Sequence, residues 1–274
     1  MPESGVDYPR NWNEFMDWFS DEQKCYQYLE KLKWKNGFIC PSCQAQAEPY
    51  RTTRGILTCR SCFHQTTVTA GNIFHKTRTP LRTWFSAIWY ITNQKHGTNA
   101  LGLQKVLGFG SYQTAWTMLN KLRRAMIRPE REKLSGIVEV DEIYIGGKEE
   151  NMKGRLVEKK SIVALAVELN EKGGLGRVRF RQIFDVTSDS LIPFVEEMIK
   201  SGSTVKTDGW VGYSGLEKHG YVHDVHPISK SGDPAHVSMP GVHMVASLVK
   251  RWLLGTHHGS FSPQQLDYYL DEFT

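Results

Sequence analysis

Two cysteine pairs constrain the fold of this chain more than any other feature of its sequence. Each pair encloses two residues, and 15 residues lie between the second cysteine of one pair and the first of the next. Two such pairs can place four thiolates tetrahedrally around one zinc ion. Because a shell of four thiolates leaves no open position for a substrate, we expect the zinc to be structural. The predicted ligands are Cys40, Cys43, Cys59 and Cys62.

Other uses of these cysteines are disfavoured by the sequence. The N-terminus has no charged segment followed by an apolar one, so no signal peptide is expected, and clustered cysteines without secretion do not indicate a disulfide framework. Metal-free structural cysteines and a redox pair are the alternatives to zinc, and the repeated pair favours zinc. The fifth cysteine, Cys25, is predicted to be a core residue on an apolar helix face.

Charge is distributed unevenly along the chain. Residues 1–134 contain 19 Lys or Arg and 10 Asp or Glu, whereas residues 135–274 contain 15 and 19. Between Glu48 and Glu130 there are 12 basic residues and no acidic one. This segment produces a positive potential that suits a polyanion, which favours nucleic acid over an unliganded basic surface. No apolar run is long enough for a membrane span, so a cytoplasmic protein without a membrane partner is expected.

The basic segment also predicts a helix-turn-helix. Pro80 is placed at a helix start, and helical apolar spacing covers about 81–92, 99–107 and 112–127. Gly108 separates the second of these helices from the third. On the third helix, Tyr112, Gln113, Thr114 and Thr117 near the N-terminus would meet base edges, and the cations that follow would meet phosphates. An ordinary three-helix packing unit is the alternative. The predicted phosphate contacts are Lys121, Arg123, Arg124 and Arg128.

After a linker at 129–136 the pattern changes to strands. The first two β-rich runs are IVEVDEIYI at 137–145 and SIVALAVEL at 161–169. The order of elements is βββ-α-β-α-β-α, which predicts a mixed sheet. Asp141 lies inside an apolar strand, and Asp208 ends another strand before Gly209. Two such carboxylates on neighbouring strands can hold divalent cations, although each Asp alone is an ordinary residue. By strand alternation, Glu139 shares the face of Asp141 and Glu142 lies on the opposite face.

The sequence motifs of this chain resemble those of a known family. The chain is similar to bacterial insertion-sequence transposases that carry an N-terminal zinc ribbon, the ISXO-like superfamily. The resemblance implies a ribonuclease H-like fold and DDE-type chemistry, with Asp141 and Asp208 as the first two carboxylates. It is carried by WKNGFICPSC, CRSC, YQTAWTMLNKLRRAM, VEVDEIYIGG, KTDGWVGY, VHMVASLVKRWLLGTHHG and YYLDEF.

The same resemblance assigns the remaining site residues. The third ligand can be Glu, Asn or His, with Lys seven residues later, and this pattern falls on His243 and Lys250. Seven helical residues turn about 700°, so both project from nearly the same face. Mg²⁺ or Mn²⁺ is the implied catalytic cofactor, and Lys250 would contact phosphate. Met244 replaces an Arg that is frequent in relatives.

These observations predict a multidomain α+β protein. It has a helical segment at 1–36, a zinc ribbon at 37–75, a helix-turn-helix region at 76–128 and a ribonuclease H-like domain with a mixed sheet at 137–274. The chain stops where relatives continue into a basic segment, so the last domain is expected to be C-terminally truncated.

The predicted function is a DNA transposase that binds element terminal repeats and target DNA, with a homodimer possible on DNA. The alternatives are a catalytically inactive DNA-binding remnant and a nuclease that cleaves without joining.

Overall fold

The computed structural model describes residues 2–127, 131–147, 160–227, 238–257 and 262–274. Its contacts divide the chain into two compact units. Unit 1 comprises Met1–Gln94 and Ala100–Leu122, and unit 2 comprises Lys95–Asn99 and Arg123–Thr274. No helix among the described residues has the length and apolar character needed to cross a membrane.

Unit 1 begins with two helices whose N-termini are capped by side chains. In α1 (Trp12–Trp18) the Asn11 side chain accepts a hydrogen bond from a first-turn amide, and in α2 (Glu22–Lys33) Asp21 does the same. Such side chains satisfy amides that have no partner within the helix. Three small antiparallel strands follow in the order β1-β2-β3. They are β1 (Tyr50–Arg51), β2 (Leu57–Thr58) and β3 (Gln65–Thr66).

Three further helices follow the strands. They are α3 (Leu81–Thr92), α4 (Ala100–Leu107) and α5 (Tyr112–Met126), close to the predicted segments. The carboxylate of Glu22 accepts hydrogen bonds from the amides of Leu81 and Arg82, at 2.7 and 3.0 Å, and so caps α3 from α2. The two cysteine pairs and the helices of unit 1 contribute to one apolar core, which includes Phe19, Cys40, Cys59 and Phe85. Cys25 is fully buried in that core, as predicted.

Unit 2 is built on a five-stranded mixed sheet with the order β6-β5-β4-β7-β8. β4 pairs antiparallel with β5, β5 pairs antiparallel with β6, and the other two pairs are parallel. The predicted mixed sheet is therefore confirmed, and the first two strands have the predicted limits. The strands are β4 (Ile137–Ile145), β5 (Ser161–Leu169), β6 (Leu175–Ile183), β7 (Thr204–Thr207) and β8 (Val222–Val225).

Helices cover both faces of this sheet. On one face, α6 (Ser188–Met198) packs on Val138 and Val140 of β4, together with short 3-10 turns at Val211–Tyr213 and Leu216–His219. On the other face, α7 (Pro240–His257) packs on Ile143 and on β5. A last helix, α8 (Leu266–Phe273), contacts β6. Odd-numbered residues of β4 therefore face α7 and even-numbered residues face α6.

Candidate functional site

The four predicted zinc ligands form one cluster in unit 1. Their sulfur atoms all lie within 4.8 Å of one another, with 3.6 Å between Cys40 and Cys62 and 3.7 Å between Cys43 and Cys59. Zinc–thiolate bonds of about 2.3 Å in a tetrahedron require sulfur atoms about 3.8 Å apart. The sulfur positions therefore fit a zinc ion, and the predicted four-cysteine cluster is confirmed.

Each cysteine pair forms the same turn, so the cluster has two matching halves. The amide of Gln44 donates to the carbonyl of Cys40, and the amide of Phe63 donates to the carbonyl of Cys59, both at 3.0 Å. Gln44 and Phe63 both have φ of 59°, a left-handed conformation that is uncommon outside glycine. Amides of the second turn, from Cys62 and Ser61, lower the pKa of the Cys59 thiol to about 6, which favours the thiolate that binds metal.

The two predicted carboxylates lie on neighbouring strands of unit 2. β4 and β7 pair in parallel, with Val138 opposite Val205 and Glu139 opposite Lys206. Continuing this register by two residues brings Asp141 opposite Asp208, which directly follows β7. By the alternation of side chains along β4, Asp141 lies on the face that α7 covers. Both residues are partly buried.

Backbone amides hold these carboxylates locally. Oδ1 of Asp141 accepts a hydrogen bond from the amide of Glu142 at 2.8 Å, and Oδ1 of Asp208 accepts one from the amide of Trp210 at 2.9 Å. The second bond closes a tight turn through Gly209, whose φ of 83° suits glycine. The position of Asp208 is thus fixed by the turn that follows its strand.

Tyr213, which the sequence did not single out, lies close enough to Asp141 and Asp208 for their charges to act on it. It is fully buried, and burial raises its pKa well above the usual value. The negative charges of Glu142, Asp141 and Asp208 raise its pKa further. Glu142 is also buried, on the α6 side as strand alternation predicted. The only sequence signal for Tyr213 was its place in the KTDGWVGY motif.

The other two predicted site residues lie on α7. His243 is partly buried near the start of the helix, and Lys250 is exposed two turns later. Among the described residues, only the cysteine cluster unites three or more potential metal ligands within 4.8 Å. The ligand atoms of Asp141, Asp208 and His243 therefore do not all lie within 4.8 Å of one another.

The predicted phosphate-binding cations of α5 have different environments. Lys121 and Arg124 are exposed, whereas Arg123 is only 2% exposed. Arg128 lies outside the described residues. Nε of Arg123 donates to Glu272 at 2.6 Å, and its guanidinium lies 4.6 Å from the ring centroid of Tyr269. The prediction of a phosphate contact for Arg123 is therefore corrected: the side chain is buried in unit 2.

A polar groove borders the N-terminal half of α5. Its volume is about 260 Å³, and it lies wholly within unit 1. The exposed side chains Gln113, Thr114 and Thr117, at which base contacts were predicted, line one wall. Thr77, Thr79 and Lys121 also line the groove. Amides, hydroxyls and a cation are the groups that contact DNA edges and phosphates.

The two units thus define a zinc-ribbon protein with a carboxylate-bearing mixed sheet. The ISXO2-like transposase domain matches residues 133–274, and the transposase zinc-ribbon domain matches residues 20–65. The chain therefore belongs to the ISXO2-like transposases, insertion-sequence transposases with an N-terminal zinc ribbon. One similar protein is an "uncharacterized protein in transposable element ISH50" of Halobacterium salinarum. It is 26% identical over 278 residues, covering 93% of this chain and 90% of that protein.

Proposed function

We propose that this transposase binds the terminal repeats of an insertion element, cleaves the DNA there and joins the freed 3′-hydroxyl to target DNA by DDE-type chemistry. The observation that carries this proposal is the parallel register of β4 and β7, which would bring Asp141 beside Asp208 when it is continued by two residues. The sheet order, with three antiparallel strands followed by two parallel ones, supports a ribonuclease H-like assignment for residues 137–274.

The donor set suits a hard divalent cation. Two partly exposed carboxylates on adjoining strands offer the oxygen ligands that Mg²⁺ and Mn²⁺ prefer. When bound, such an ion lowers the pKa of a nucleophilic water or hydroxyl and stabilises the leaving oxygen. In this proposal Asp141 and Asp208 bind the cation and His243 completes the site.

Contacts to DNA are assigned to both units. Lys250 would hold a phosphate beside the site, because its exposed ammonium is a point charge on the helix that carries His243. In the region 76–128, α4 and α5 would act as a helix-turn-helix, with Lys121, Arg124 and Arg128 on phosphates and the α5 groove on base edges. We further propose that two copies act together on the DNA.

An incubation with end DNA tests this proposal. Labelled element-end DNA, target DNA and Mg²⁺ or Mn²⁺ are combined with the protein, and bound, nicked and joined products are separated. Asp141→Asn and Asp208→Asn should bind DNA normally and lose cleavage and joining. Asp189→Asn is the matched control, because Asp189 is an exposed carboxylate on α6.

Each alternative has its own product pattern. Binding without metal-dependent products would indicate an inactive DNA-binding remnant. Nicked DNA without joined DNA would indicate a plain nuclease. Wild-type activity in either Asp→Asn variant would refute the site itself. Light scattering of the complex with end DNA gives the number of copies.

A further inference from the structure

A buried carboxylate links the strand of Asp141 to the helix of His243. Glu139 is 1% exposed, and its Oε2 accepts a hydrogen bond from the amide of Val242 at 2.9 Å. Val242 is the third residue of α7, where amides have no partner within the helix. A carboxylate there satisfies such an amide and interacts favourably with the helix dipole. Burial of this charge is tolerable because it is hydrogen-bonded.

The approach of the helix to this carboxylate depends on a glycine. A Cβ placed on Gly241 would lie 2.8 Å from Oε2 of Glu139 and 3.0 Å from Cδ2 of Leu169. Both distances are at or below the limit of real Cβ contacts, and both neighbours are buried or packed in the sheet face. Any larger residue at position 241 must therefore displace the first turn of α7 or the Glu139 side chain.

The hydrogen bond between Glu139 and Val242 connects segments that carry two residues of the proposed active site, Asp141 and His243. Glu139 precedes Asp141 by two residues on the same strand face, and Val242 directly precedes His243. We propose that Glu139 and Gly241 are positioning residues, which fix the height and rotation of α7 so that His243 lies over Asp141 and Asp208. This inference rests on the proposed function, because it assigns a purpose to the placement of His243.

The glycines of α7 provide a matched pair of variants. Gly241→Ala adds a methyl group against Glu139. Gly255→Ala adds the same group near the other end of the helix, where no atom of the described residues outside the adjacent helical backbone lies within 4 Å. We expect Gly241→Ala to lower kcat for end cleavage and the affinity for Mn²⁺, measured by paramagnetic resonance of free Mn²⁺. Loss of a supporting contact of this kind costs on the order of 10- to 100-fold. KM for end DNA should be unchanged, and Gly255→Ala should match wild type.

A second pair of variants isolates the hydrogen bond. Glu139→Gln keeps an oxygen acceptor for the Val242 amide, and Glu139→Leu removes it. Hydrogen exchange at the start of α7 should accelerate in Glu139→Leu and stay near wild type in Glu139→Gln. This readout needs neither metal nor DNA. Glu139→Asp, which shortens the side chain, should partly restore kcat when combined with Gly241→Ala.

The outcomes separate this inference from the proposed function. If Gly241→Ala and Glu139→Leu retain wild-type exchange, Mn²⁺ binding and kcat, while Asp141→Asn loses Mn²⁺ binding and cleavage, the positioning role is refuted and the site stands. If Asp141→Asn also binds Mn²⁺ and cleaves like wild type, the proposed site is refuted. If Gly241→Ala fails to fold, the Glu139 variants decide the question by exchange and kcat.

Discussion

Replacing Arg123 with methionine is expected to destabilise unit 2 without changing the DNA affinity of folded protein. The side chains of Arg123 and Glu272 are 2% and 4% exposed, and the guanidinium also donates to the carbonyl of Thr98 at 2.8 Å. Methionine fills much of the space. The Glu272 carboxylate then keeps its hydrogen bond from the amide of Thr98, at 3.0 Å, but has no ion pair with another described residue. Loss of one partner from a buried ion pair costs roughly 3–5 kcal/mol.

That cost is a large share of a typical domain stability of about 5–15 kcal/mol. Urea unfolding followed by circular dichroism should therefore show a much lower free energy of unfolding for Arg123→Met. Adding Glu272→Met should recover most of the loss, since replacing both members of a buried pair by apolar residues is often neutral. The adjacent, exposed Arg124 provides the control: Arg124→Met should change stability by no more than about 0.5 kcal/mol.

DNA binding is measured on the same proteins by fluorescence anisotropy under folding conditions. Arg124→Met should weaken binding, and the Arg123→Met, Glu272→Met double variant should bind like wild type. The reasoning is refuted if Arg123→Met keeps wild-type stability and loses DNA affinity to the same extent as Arg124→Met. That result would mean that the guanidinium is available to phosphate in solution.

Three further predictions concern other parts of the chain. Removing zinc with a chelator should release four thiols that react with a disulfide reagent at pH 8, whereas Cys25, whose pKa burial raises to about 11, should react only on unfolding. Burial raises the pKa of Asp271 to about 6, so ionisation of this carboxyl should destabilise the fold as pH rises from about 4 to 6. In thermal melts, Asp271→Asn should be more stable than wild type at pH 7.5, by on the order of 1 kcal/mol, and equally stable at pH 4. Charge reversal of Lys121 and Arg124 should weaken binding to all DNA sequences and reduce the salt slope of binding by about 0.9 per lost phosphate contact.

Local patterns were sufficient to predict most elements of the fold. The limits of β4 and β5 and of α3 follow from apolar runs and from Pro80 before the helix. The cysteine spacing predicted the thiolate cluster because each pair forms a local turn. Alternation along β4 also placed Glu139 and Glu142 on opposite faces.

The failures are long-range contacts. Arg123 looked like a phosphate-binding cation on an exposed helical face, but its partner Glu272 is 149 residues away. The hydrogen bond from Val242 to Glu139 spans 103 residues, and the periodicity of apolar residues does not predict it. Side-chain pairing at such separations is set by how helices dock on the sheet, which propensity and spacing do not encode.

The discontinuous path of the chain through unit 2 limits how this protein can be cut or recombined. The chain enters unit 2 at Lys95, leaves it after Asn99 and returns at Arg123. Gly97 lies against the Trp252 ring so closely that a Cβ would overlap it, at 2.4 Å. A gene fragment that starts at Arg131 would encode the whole sheet yet lack both Gly97 and Arg123. Unit 1 and unit 2 therefore cannot be exchanged between relatives at one junction. Any exchange must keep residues 95–99 and the segment from Arg123 onward with the parent that supplies α7 and α8.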